Sequence, residues 1–282
     1  MSARPAPLRA APAIAPASAA RERPGGAPKA SILAVTSGKG GVGKTFFSAN
    51  LAAALARRGE RVLVLDADLG LANLDVVLNL HPKLTLHDVF TGKASLDEAI
   101  LPAPGGFSVL LAGSGLVEYS RLTPQVREQL VEIIDQVAPR FDRILLDTGA
   151  GISDVVLHAI SLADDVLVIA TPEPTSMTDA YATIKLLAIQ QDRRTIKVVV
   201  NQVSMTGEGR RIRNQLQLVV DRFVCPHLNG GNSAAVSLDL LGEIPTDWSV
   251  REAVQRRTLL LDLMPGAAAA LAVVAIAGRM AL

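Results

Sequence analysis

Nine residues, Ser37-Gly38-Lys39-Gly40-Gly41-Val42-Gly43-Lys44-Thr45, bring four glycines and two lysines together. Glycines at this density let backbone N–H groups curl around phosphate oxygens with no Cβ in the way. Gly38-x-x-x-x-Gly43-Lys44-Thr45 follows the apolar run Ile32 to Thr36 and opens a helical pattern from Thr45 to Arg58. That context makes the stretch a P-loop, with the helix N-terminus adding partial positive charge. Lys44 is expected to bridge the terminal phosphates of a nucleotide, and the Thr45 hydroxyl to ligate Mg²⁺. One lysine suffices for that grip, so Lys39 is left over.

Carboxylates stand where such a loop needs them. Asp147 ends the apolar run RILLD, the place of a Walker B carboxylate that holds magnesium through water. The following residues, Asp147 to Gly151 (DTGAG), offer backbone amides that could sense a γ-phosphate. Asp66 and Asp68 end the run RVLVLDAD, and their spacing of two puts both side chains on one side of an extended chain. One would serve the metal shell and the other would orient the attacking water.

These residues must be positioned by the runs that carry them. ILAVT, RVLVLD, FSVLLA (Phe107 to Ala112), RILLD, DVLVIAT (Asp165 to Thr171) and KVVVN (Lys197 to Asn201) are uniformly apolar. Such runs read as strands buried on both faces. Helical patterns lie between them, at Thr45 to Arg58, Pro124 to Val137, Ser153 to Ala163 and Thr178 to Gln191. Repeated βα units of this kind predict an α/β fold: a doubly wound, mostly parallel sheet with helices on both faces, and ligands beyond the carboxyl ends of the strands. Residues 1–30, dominated by Ala and Pro, read as a disordered extension, and 31–282 as one nucleotide-binding domain. A helix expected from Arg210 to Phe223 begins with Arg210, Arg211 and Arg213, read as a solvated face.

Composition removes several classes. A single cysteine, Cys225, cannot form an internal disulfide or supply a cysteine-ligated cluster, and the four histidines lack metal-ligand spacing. The first thirty residues carry five basic side chains against Glu22, about +4 of a whole-chain charge of +1. The body is therefore near −3, which speaks against a broad nucleic-acid-binding face. The apolar stretch from Ala267 to Ala277 is about half the length of a membrane span and has no polar face, so it is expected to pack into the body as the final helix.

The extra lysine of KGGVGKT resembles the deviant Walker A ATPases of the MinD/ParA group. Within that group, Leu65 to Ile100, Asp147 to Ser153, Ala170 to Lys185 and Leu241 to Val254 look most like the FlhG (FleN, MotR) regulators of flagellar number and placement. The resemblance implies an ATP-binding, slowly hydrolysing switch that forms a homodimer with ATP and works with flagellar regulatory or assembly proteins. MinD-type division-site and ParA-type DNA-partition ATPases are the alternatives. It implies that Lys39 reaches the phosphates of the opposite subunit, that Asp68 positions water and that Asp66 joins Thr45 and Asp147 around Mg²⁺. Asn73 and Glu173 are expected near the dimer face, and Asn201, Pro245 and Asp247 around the adenine. Trp248, beside Asp247, is expected to report nucleotide binding. The protein is expected to be cytoplasmic, with contact at the inner membrane face left open. The DQAxxLR motif that some relatives carry near the N-terminus is reduced here to Leu8-Arg9.

Overall fold

A computed structural model describes residues 30–69, 73–113, 122–228 and 235–280. The expected extension falls, apart from Ala30, outside the described residues. In chain order the elements are β1 (Ser31–Ser37), α1 (Lys44–Ala56), β2 (Val62–Ala67), α2 (Leu74–Leu78), α3 (Leu86–Phe90), α4 (Leu96–Ala99), β3 (Ile100–Pro102), β4 (Ser108–Leu110), α5 (Pro124–Val137) and β5 (Arg143–Ala150). They continue with α6 (Asp154–Ser161), β6 (Asp165–Ala170), α7 (Pro174–Gln190), β7 (Thr195–Val203), α8 (Glu208–Phe223), β8 (Ser237–Pro245), α9 (Trp248–Gln255), α10 (Leu260–Leu263) and α11 (Ala268–Arg279).

The strands form one sheet in the order β3-β4-β2-β5-β1-β6-β7-β8, parallel throughout except for the antiparallel β3–β4 pair. Each predicted apolar run lies on one of these strands. Alternation along a strand feeds two cores, one on each side of the sheet. From β1, Ile32 and Ala34 join residues of α5, α6, α7 and α8, whereas Leu33 and Val35 join residues of α1 and α11. At roughly 25 cal/mol per Å² of apolar surface removed from water, these two layers are the main source of stability. β1 sits between β5 and β6, so the loop after it opens where the chain's winding changes direction, the place where such sheets bind ligands.

Two strands were not legible as apolar runs. β3 is three residues long, and β8 interrupts its apolar residues with Asp239, Gly242 and Glu243. Both lie at sheet edges, where one side of the strand meets solvent and uniform apolarity is not required. The C-terminal stretch does form the last described helix, α11, which packs against β8 and α1 through Ala269, Ala270, Val273, Ile276 and Ala277. It is not buried all round, because Leu271 and Val274 face outward at 57% and 43% exposure. Alanines supply its inner face, and one side of a helix is all a sheet can cover.

Candidate functional site

The loop from Ser37 to Lys44 is shaped by close approaches that only glycine permits. Gly43 has φ +94°, and a Cβ there would meet the Asn201 amide at 2.6 Å. A Cβ on Gly38 would lie 2.2 Å from the Asp179 backbone of α7. Asn201, near the end of β7, donates from Nδ2 to the Val42 carbonyl at 2.8 Å and so pins the loop.

The lysine of the loop is buried. Lys44 Nζ donates to Ser37 Oγ at 2.8 Å, and that hydroxyl donates in turn to the Lys39 carbonyl at 2.7 Å. Burial lowers the Lys44 pKa, while Asp147 and Asp68 pull it back up. Asp66 and Asp147 are register partners on β2 and β5, 1% and 2% exposed, so two carboxylates stand side by side under the loop. Asp147 accepts from Ser48 Oγ at 2.9 Å and from Thr45; its pKa is pushed up to about 6, chiefly by burial. Asp66 accepts from the Asp68 N–H at 3.1 Å, its Oδ2 is buried with no partner, and burial together with Asp147 raises its pKa well above the usual range. The Asp68 carboxylate lies against Gly149, where an added Cβ would meet it at 3.3 Å.

A cavity of about 630 Å³ opens beyond these strand ends, lined by Gly40, Gly41, Gly43, Lys44, Thr45 and Asp68 among others. Loop amides, a buried ammonium and a helix N-terminus suit a polyphosphate. A dication at Thr45 would relieve the repulsion between Asp66 and Asp147 and give the orphaned Asp66 Oδ2 a partner, directly or through water, so these residues fit Mg²⁺. No cluster of three His, Cys, Asp or Glu side chains suited to a metal exists among the described residues.

Lys39 does not face this cavity. Its Nζ lies 2.6 Å from Glu173 Oε2 and 3.0 Å from Thr175 Oγ1, at the start of α7. The residues expected around adenine lie at the ends of β7 and β8, where Asn201 pairs with Ile244 and Val203 with Pro245. Asp247 uses both carboxylate oxygens on the protein: Oδ1 accepts from the Ser249 N–H and hydroxyl, and Oδ2 from the Ala269 N–H at 3.1 Å. Sequence reasoning missed Ser37, Ser48 and Thr175, the hydroxyls that hold Lys44, Asp147 and Lys39. Only Ser48 carried a signal, since it lies one helical turn after Lys44 on the same face.

A family model described as an AAA domain matches residues 30–200. Antiactivator FleN of Pseudomonas aeruginosa is 42% identical over 88% of this chain and 85% of its own. The flagellum site-determining protein YlxH of Helicobacter pylori is 34% identical over 83% of this chain and 76% of its own. Among solved structures, the septum site-determining protein MinD of Pyrococcus horikoshii with Mg-ADP superposes with a TM-score of 0.70 at 26% identity, covering 89% of this chain and 96% of that one. The chain belongs to the MinD/ParA family of P-loop ATPases. As a MinD/ParA ATPase it uses ATP with Mg²⁺. No helix among the described residues is long and apolar enough to cross a membrane.

Proposed function

We propose that this MinD/ParA ATPase is an ATP-dependent dimerisation switch that governs the number and placement of flagella, acting in the cytoplasm on flagellar regulatory or assembly proteins. Likeness to FleN and YlxH supports the flagellar setting over septum or DNA-partition roles. The observation that carries the switch is Lys39, a loop lysine held by Glu173 and Thr175 outside the phosphate cavity of its own subunit. It is surplus to nucleotide binding in one chain and, on leaving Glu173 and Thr175, would serve the γ-phosphate of a facing one, where positive charge would neutralise two opposed phosphate groups.

In this reading Gly38 to Thr45 cradle the phosphates, with Lys44 on the terminal ones. Thr45, Asp66 and Asp147 would hold Mg²⁺, which would supply charge neutralisation to the phosphate chain. Asp68, at the mouth of the cavity beside Gly149, orients the attacking water. Asn73 belongs to the dimer face, and Asn201, Pro245 and Asp247 surround the base. Asp247 would present its backbone there, since its carboxylate is engaged in capping.

Size-exclusion chromatography with ATP and Mg²⁺ tests the switch. The native chain is expected to elute as a dimer and Lys39→Ala as a monomer that still binds ATP; a Lys39→Ala dimer would remove the trans role. Counting flagella in cells that lack the protein tests the setting, and an unchanged count would exclude it.

A further inference from the structure

β8 is the outermost strand on its side, with α8 on one face of the sheet and α11 on the other. Two adjoining clefts run along it. One, of about 260 Å³, has an apolar lining that includes Leu241, Ala272, Ala275 and Ile276. The other, of about 680 Å³, is polar and is lined by Arg213, Asn214, Ser237 and Asp239. Arg210, Leu240 and Arg279 line both.

Three guanidinium groups therefore converge on one edge. Arg210 and Arg213 lie three apart on α8 and share a face. Arg279, on the last turn of α11, donates from Nη1 to the Leu241 carbonyl at 2.5 Å. Among the described residues no carboxylate lies within ion-pair distance of any of the three, and Nε of Arg213 is buried with no hydrogen-bond partner. The acidic groups along the cleft are already engaged. Glu243 accepts from the Gly207 and Gly209 N–H groups at 2.6 and 2.7 Å, and Asp239 accepts from the Ser237 hydroxyl at 3.0 Å. Gln217 closes the strand edge further on, donating to the Val236 carbonyl and accepting from the Leu238 N–H. Between that cap and Arg279 the edge around Leu240 is bordered by both clefts.

We propose that this edge is a docking groove for an extended acidic segment of a partner protein. Carboxylates two residues apart lie on one side of an extended chain and can meet Arg210 and Arg213 on α8 in charge-assisted pairs, with Arg279 at the boundary of the two clefts. An intervening apolar side chain points the other way, into the cleft beside Leu241 and Ile276. A nucleic acid would present phosphates but nothing to fill the apolar cleft. The groove lies three strands from β1 and shares no lining residue with the phosphate cavity, so it goes beyond the ATP switch.

The test uses the full chain and a short fluorescein-labelled peptide that alternates Glu and Leu, followed by anisotropy at low salt. Saturable binding is expected, weakened by added salt and reduced at least about tenfold when the peptide's Glu residues become Gln. Arg210→Glu combined with Arg213→Glu should cause a similar loss, while ATP-dependent dimerisation and hydrolysis stay unchanged. Those readouts separate this groove from the switch reading. Ala275→Glu, on the exposed cleft wall, should also weaken the peptide. The proposal is overturned if the native chain ignores the peptide, or if neither variant changes its affinity. It is equally overturned if duplex DNA or phosphatidylglycerol vesicles bind the native chain more tightly than the peptide and lose that binding in the double variant.

Discussion

At the scale of single residues, the site is a stack of buried charges held by hydroxyls. Asp68 differs from the buried Asp66 and Asp147 because it is only half-buried and lines the phosphate cavity. Asp68→Ala is expected to retain ATP and lower turnover by about two orders of magnitude, since positioning of the nucleophile alone is lost. Trapped dimer in ATP, read by size exclusion alongside phosphate release, is the expected result; normal turnover would place the water elsewhere. Asp66 and Asp147 set a pH dependence. Their folded-state pKa values are raised from 3.8, Asp147 to about 6, so the nucleotide-free fold binds more protons than the unfolded chain in that window. Stability from this pair is therefore greatest at low pH and falls as pH rises through about 6. Mg-ADP takes the deprotonated pair, so its affinity should rise over the same range, measurable by calorimetry at about pH 5 and 7.5. The glycines, lysines and strand-end aspartates were legible because each needs a fixed residue type at a fixed spacing. Ser37 and Thr175 were not, because a hydroxyl that holds a lysine can come from any element that passes nearby.

At the scale of elements, uniformly apolar runs revealed the six inner or near-inner strands, and helical periodicity revealed the long helices. The edge strands β3 and β8 and the short helices α2, α3, α4 and α10 escaped, since few residues and one exposed side leave little periodicity to read. The turn before α9 shows how one residue joins elements that lie apart in sequence. Asp247 caps α9 through Ser249 and the start of α11 through Ala269, and these hydrogen bonds, that to Ser249 foremost, hold its carboxyl below the usual range. Asp247→Ala should cost roughly 1–2 kcal/mol per cap lost. Thermal melting without nucleotide reads this loss, and an unchanged midpoint would mean that the caps contribute little. Trp248, 71% exposed at the first position of α9, is free to change environment when a base arrives. A shift of its emission on ADP addition would support a base site there, whereas constant emission during calorimetrically observed binding would move the base away from this turn.

At the scale of the whole molecule, the amino-terminal ends of the parallel strands are tied by Arg143. Its Nε pairs with Glu60 at 3.0 Å, its Nη1 donates to Ser31 Oγ at 3.4 Å and its Nη2 donates to the Met280 carbonyl at 2.9 Å, with 5% and 13% of the two charged side chains exposed. Arg143→Ala would strand the Glu60 carboxylate in a nearly dry setting and is expected to destabilise by about 3–5 kcal/mol. Replacing both partners by apolar residues should cost much less, which chemical denaturation of the single and double variants can decide. The same guanidinium touches both the first strand and the residue after the last helix, so positions 31 and 280 are neighbours in space. The fold is therefore nearly a closed ring. A short linker joining those two positions, with new ends cut at the exposed turn around Gly92 and Lys93, should yield a circular permutant that keeps the sheet order and the phosphate cavity intact.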